Sequence, residues 1–305
     1  MIDQINAFLV SVQPYLLILF IYATMIEMGT TMTLQDISKS FKMPKVLLSA
    51  LVINLVLSPL FAVAITQIFQ TSLGEVYPAV ALTAILINLI AGASGGPKNV
   101  QLAHGDEPMS IALLAVLSIA VVFIVPFTSH IFLPGDVQID SISIIANLIV
   151  LVLIPMGLGL LLRGTKPAWA DKLKKPLLVL SNLGLVGVIL SYLVPNISNI
   201  IDVGLFVAFI FFLILLLNFL AGFLTLGNKL EKKTVSMVTI AKNFGVTLSL
   251  SATFFASYNL TPYLMTYIVI ILIFALPVAI LMRKYGGPGI QGTAGTNAGS
   301  PPGSK

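Results

Sequence analysis

Residues 84–106 read AILINLIAGASGGPKNVQLAHGD, and residues 235–255 read VSMVTIAKNFGVTLSLSATFF. Each is an apolar, span-length segment interrupted by glycine and by the dipeptide Lys-Asn: Lys98-Asn99 in the first, Lys242-Asn243 in the second. A charge at the centre of a bilayer costs at least ~2.5–3.5 kcal/mol and marks a pathway or a site. In the first stretch Gly92, Gly95, Gly96 and Pro97 fall within six residues. Proline removes a backbone donor and glycine favours unwinding, so the helix is expected to break there. Freed carbonyls and amides at that depth must face protein or a water-filled cavity. The second stretch is polar for a membrane helix, with Ser236, Thr239, Thr247, Ser249 and Ser251 around Lys242, and Gly245 as its weak point. Two such segments, one in each half of the chain, suggest a duplicated membrane protein with its site at the repeat interface.

Composition agrees with that class. The chain of 305 residues is 58% hydrophobic and 9% charged, with a mean hydropathy of +1.06. This is an all-α polytopic membrane protein. With no cysteine, disulfides, Cys–zinc sites and thiol catalysis are excluded. The start, MIDQINAF, lacks a basic n-region, so no cleavable signal peptide is expected. Residues 286–305 are rich in Gly, Pro, Ser, Ala and Thr and read as a flexible tail or linker.

Nine segments are long enough to cross a bilayer: about 12–32, 45–70, 77–103, 109–132, 141–162, 176–195, 202–227, 234–257 and 262–282. The loops between them alternate in charge. One set carries Lys39, Lys42 and Lys45, then Arg163, Lys166, Lys172, Lys174 and Lys175, then Lys229, Lys232 and Lys233, then Arg283 and Lys284. The other set has no Lys or Arg and holds Glu75, Asp136, Asp140 and Asp202. The positive-inside rule then expects an outside N-terminus and a cytoplasmic C-terminus in a multi-pass protein of the cell (inner or plasma) membrane. Topology accounts for the net charge of +5, so no nucleic-acid partner is needed. Spans 3 and 8 run in opposite directions, the sign of an inverted repeat.

The order of blocks resembles the bile acid:sodium symporter family. Residues 25–65, MIEMGTTMTLQDISKSFKMPKVLLSALVINLVLSPLFAVAI, are similar to its first block; GASGGPKNVQLAHGDEPMSIAL (92–113) is similar to its Pro-Gly-Gly crossover, and KKTVSMVTIAKNFGVTLSLS (232–251) to its Glu-x-x-x-Gln-Asn helix. The resemblance covers residues 12–284 in order and implies one transporter domain over 1–285. Its core would take spans at about 45–132 and 202–282, and its panel those at about 12–32 and 141–195. The family's ten helices form two inverted five-helix repeats, and this chain resembles a nine-helix form. Arsenite, auxin-efflux and sodium/proton antiporter families are rivals of related architecture.

The departures from the family pattern concern its sodium sites. The sodium-binding Glu aligns with Val238 and the following Gln with Lys242, while Asn243 is kept. The crossover Ser-Asn becomes Lys98-Asn99. Of the two hydroxyls on the next helix, one aligns with Ser110 and the other with Leu114; a core glutamine aligns with Asn54. The expectation is that Lys98 and Lys242 replace the two sodium ions as tethered cations. The expected substrate site comprises Lys98, Asn99, Lys242, Asn243, Gly95, Gly96, Pro97, Asn54, Ser110 and Thr239.

Half-helix N-termini and two lysines favour a small organic anion, a carboxylate or bile-acid-like compound by the resemblance. Proton coupling through Lys242 or Lys98 stands open beside sodium-independent uniport or exchange. Glu27, the only acid within a span, reads as a gate or ion-pair partner, or as a carboxylate facing the vestibule. Thr83, Asn88 and Asn218 either line a cavity or bond between helices. His104, Asp106 and Glu107 form a turn and are not expected to hold metal. Trp169 is expected in an interfacial basic loop. No cofactor and no enzyme constellation is expected: there is no nucleophile–base pair at shared depth. A non-transporting receptor on the same scaffold, or a sodium-coupled symporter, is the alternative.

Overall fold

The computed structural model describes residues 2–93, 95–132 and 140–285, so the expectation of a tail over 286–305 lies outside the described residues. Twelve helices of seven residues or more carry the architecture: α1 Ile2–Thr31, α2 Leu34–Phe41, α3 Pro44–Ile68, α4 Tyr77–Leu89, α5 Gly96–Leu102, α6 Glu107–Phe132, α7 Ser141–Thr165, α8 Pro167–Leu193, α9 Ile197–Phe223, α10 Lys229–Ile240, α11 Phe244–Phe254 and α12 Thr261–Arg283. No strand element occurs among the described residues. Eight helices are long and apolar enough to cross a membrane: α1, α3, the run Gln70–Leu89 that ends in α4, α6, α7, α8, α9 and α12. Between the last two lies the pair α10–α11, a segment interrupted at Ala241–Asn243.

The element boundaries follow local chemistry. Thr33 and Asn228 open α2 and α10 with reciprocal capping boxes, their side chains accepting from N3 amides while Asp36 and Glu231 accept from the cap amides. Prolines stand in the first turns of α3, α4, α5, α8 and α12, where the missing amide has no partner to lose. Residues 167–175 were expected as loop and are the first turns of α8 instead. Pro167 starts the helix before Trp169, so Trp169 and Lys172 lie one turn apart with the ammonium 5.5 Å from the indole centroid.

Two groups of helices pack around the site. In one, α1 lies along α7 and α8. Gly29 and Gly159 let α1 and α7 touch backbone to backbone: a Cβ at Gly29 would collide with the Met156 carbonyl, and one at Gly159 with that of Ile26. The other group gathers α3, α4, α9, α10 and α12, with α5 set against α6, α10 and α12. One apolar cluster runs through both groups and includes Leu82, Ile87, Phe211, Val246 and Tyr267 together with Ile21, Leu148 and Val188.

Candidate functional site: the helix crossing and its cavity

The first helix breaks at its glycines; the second breaks at Ala241–Asn243 and not at Gly245, which lies in the first turn of α11 because the Asn243 side chain caps that helix just before it, and the two breaks meet. Helix α4 ends at Leu89, and the chain runs extended through Ile90 and Ala91 before α5 begins at Gly96. Helix α10 ends at Ile240, and Ala241 to Asn243 run extended before α11. Ala91 and Lys242 pair as an antiparallel bridge, and the Asn243 amide donates to the Ile90 carbonyl at 3.0 Å. The Asn243 side chain accepts from the Val246 amide at 3.3 Å and so caps α11. On the other strand of the crossing, Ser118 of α6 donates to the Gly92 carbonyl at 3.1 Å. Backbone groups freed by one break thus find partners on the other break and on α6, where the Ser118 hydroxyl is shared between the Gly92 and Leu114 carbonyls.

The two Lys-Asn dipeptides are not equivalent in space. Pro97 sits in the first turn of α5, so Lys98 and Asn99 lie inside that helix, beyond the break. Lys242 and Asn243 lie in the break itself. The residue facing Lys242 across the crossing is Ala91.

Lys242 is 3% exposed and its ammonium donates to Ser58 Oγ at 2.7 Å. Behind Ser58 stands a buried polar cluster. Ser58 Oγ lies 2.7 Å from Asn218 Oδ1 and 3.0 Å from Asn88 Oδ1, and one hydroxyl proton serves one of them at a time. Asn218 donates to Asn88 at 2.7 Å, and Asn88 donates to the Tyr267 hydroxyl at 3.1 Å. Four helices, α3, α4, α9 and α12, therefore contribute one polar residue each to the seat of one lysine. Asn88 and Asn218 bond between helices and do not line the cavity. Among the described residues no carboxylate lies within ion-pairing distance of Lys242.

Lys98 is exposed, and its ammonium donates to Asn182 Oδ1 of α8 at 3.1 Å, so it reaches from one packed group to the other. Glu27 of α1 is half-buried and accepts from Ser181 Oγ of α8 at 2.7 Å. It forms no ion pair among the described residues. A cavity of about 250 Å³ lies between the groups. Lys98, Asn99, Lys242, Asn243 and Gly95 line it from the crossing side, and Glu27, Ser181 and Asn182 from the other. Phe20 of α1 stacks on Phe244 at 5.2 Å between ring centroids, and both line the apolar part. Gly96 packs on Leu114, and Pro97 is partly buried beside it.

Asn54, Ser110 and Thr239 do not line the cavity. Asn54 lies in a wider π turn over Ile53–Leu57, donates to Ala50 and Thr239, and leaves its Oδ1 unpartnered. Ser110 turns back onto the Glu107 carbonyl of its own helix. The residues missed from sequence are Ser58, Ser181, Asn182 and Tyr267. For Ser58 the legible signal was a hydroxyl beside Pro59 and one turn after Asn54 in a largely apolar span. The turn holding His104 joins α5 to α6, where Asp106 Oδ1 caps the Met109 amide. Among the described residues no group of three or more His, Asp or Glu could hold a metal ion.

Comparison with known proteins agrees with this architecture. A probable chloroplastic sodium/metabolite cotransporter of Arabidopsis thaliana is 29% identical over 138 residues, 45% of this chain and 31% of its own length. A second from the same plant is 25% identical over 217 residues, 70% of this chain and 52% of its own length. An uncharacterized sodium-dependent transporter of Bacillus subtilis is 22% identical over 251 residues, 80% of this chain and 76% of its own. The chain spans between about a third and half the length of these plant relatives. The family model for the Sodium Bile acid symporter family matches residues 16–203, from α1 through the first broken segment into α9. With more than half of its length matched, and with broken helices meeting where that segment lies, the chain belongs to the Sodium Bile acid symporter family.

Proposed function

We propose that this chain is a secondary transporter that carries a small organic anion, a carboxylate or bile-acid-like compound, by alternating access and without sodium. The observation that carries this reading is the Lys242 ammonium, buried at the helix crossing and hydrogen-bonded to Ser58, beside a cavity that Lys98 also lines. A univalent cation is thereby covalently built into the crossing, and Val238 stands where the sodium carboxylate of the family pattern would be. The relatives are named for sodium, so sodium independence is the point on which this chain departs from them. Separate roles for the two lysines are supported by their surroundings: Lys242 as the tethered cation, Lys98 as the charge that meets the substrate. Proton coupling through Lys242 is the second element of the reading, supported by an amine that is buried with no carboxylate partner among the described residues.

The nine passes comprise the eight long helices and the pair α10–α11, with spans 3 and 8 as the broken helices of inverted repeats. The panel is α1, α7 and α8, which then moves against the remaining helices. The membrane is the cell membrane, with the basic loops in the cytoplasm. A tag at residue 2 is then labelled from outside intact cells and a tag at residue 285 only after permeabilisation; labelling of both tags, or of neither, in intact cells contradicts nine passes.

Uptake of labelled carboxylates into liposomes tests the main reading. Sodium, potassium and choline at constant ionic strength should give equal rates, because the amine at the crossing takes its positive charge from a proton and leaves none for sodium to supply. A saturable sodium-dependent rise in rate or in Tm overturns it. Saturable binding with no flux under any gradient would instead favour a receptor on this scaffold.

A further inference from the structure

Two opposite charges face the cavity from its two walls, and neither neutralises the other. Lys98 comes from α5 on the crossing side, Glu27 from α1 on the other. Each is held by a neutral partner, and the two partners are consecutive residues of α8: Ser181 donates to Glu27 at 2.7 Å, and Asn182 accepts from Lys98 at 3.1 Å. The ion pair that proximity invites is not formed; no carboxylate lies within 4 Å of Lys98 among the described residues. A lone half-buried carboxylate in a membrane helix is costly unless something cationic visits it. Among the described residues nothing else lining the cavity pairs with it, since Lys242 is turned into its seat on Ser58.

We infer that the substrate is an amino carboxylate, a zwitterion whose carboxylate meets Lys98 in place of Asn182 and whose ammonium meets Glu27. The inference deepens the anion reading of the same cavity and rests on it. Its geometry gives alternating access a physical cause: one ligand joins α5 to α1, and so binds the two helix groups to each other through its own two charges. Carboxylates without an ammonium engage one wall only. The cavity of about 250 Å³ suits a ligand of small-metabolite size.

The test uses purified full-length chain and matched pairs of probes: ω-amino carboxylates of three to six carbons, each against the straight-chain carboxylate of the same length. Thermal shift reads binding, and counterflow in liposomes reads transport. At least one amino carboxylate should bind ten-fold or more tightly than its partner. Glu27→Gln keeps an acceptor for Ser181 and should erase that preference, bringing the two members of each pair to within a few-fold of one another. Lys98→Ala should weaken both members of the pair. Equal affinity for both members in the parent protein, or a preference unchanged in E27Q, overturns the assignment of Glu27 and leaves the anion reading standing. Failure of every carboxylate of either kind to bind overturns both. Should E27Q not fold, the matched pairs in the parent protein still decide.

Discussion

Lys242→Met should leave the protein folded and stop transport. Methionine has nearly the length and volume of the lysine stem, and Lys242 is 3% exposed with no carboxylate within ion-pairing distance among the described residues. A buried ammonium with one neutral hydrogen-bond partner bears a desolvation cost that an apolar side chain of similar volume does not. Ser58 is not orphaned by the change, because Asn88 and Asn218 remain beside its hydroxyl. The Tm should therefore hold or rise. The transport rate should fall by about 10- to 100-fold or more, corresponding to the loss of one charged hydrogen bond worth about 1.5–3 kcal/mol in the working cycle. Lys242→Ala is the less informative change, since the void it leaves destabilises for reasons unrelated to charge. Melting curves and liposome uptake on the same preparation check the expectation. Full transport by K242M would mean that the lysine is a core residue seated on Ser58 and no part of the transport cycle.

Gly92→Ala should do the opposite, damaging the fold before it touches the chemistry. Gly92 sits at φ +88°, a backbone region that residues with a Cβ rarely enter. A Cβ there would collide with Ser118 Oγ and approach the Ser118 amide nitrogen to 2.9 Å and its Cα to 3.0 Å. Strain of about 1–3 kcal/mol and overpacking of about 1–3 kcal/mol together give a loss of roughly 2–6 kcal/mol. That is a large share of the ~5–15 kcal/mol by which folded proteins are commonly stable. Ser118→Ala added to G92A should recover only the hydroxyl part, because the backbone contacts stay. Gly95→Ala is the control: nothing lies within 4 Å of its Cβ position and its φ is −73°. Yield and Tm of the three variants in detergent are the measurement. A parental Tm for G92A would mean that the first broken helix does not cross the second in this way.

The legibility of this chain in its sequence is uneven for a physical reason. Membrane class, span positions and the two broken spans follow from local rules. Lipid accepts a polar backbone only when it is folded on itself, so an apolar run of about 20 residues declares a helix, and Gly92, Gly95, Gly96 and Pro97 declare where it fails. In the second stretch the sequence put the weak point at Gly245, while the structure breaks a few residues earlier, at Ala241–Asn243, and keeps Gly245 in α11. It read Lys98-Asn99 as the counterpart of Lys242-Asn243 because the dipeptides match. Pro97 nucleates α5 one residue too early for that, and Ala91 takes the facing position instead. What stands around each charge was decided by packing alone. The partner of Lys242 lies 184 positions away, that of Glu27 154, and that of Lys98 84. None of these distances leaves a trace in periodicity or spacing, because each depends on how whole helices cross. The sequence by itself determined that this chain is membrane-embedded and which of its spans break; only the tertiary structure decided which groups those breaks bring to Lys242, Lys98 and Glu27, since helix crossings pair side chains that no local rule connects.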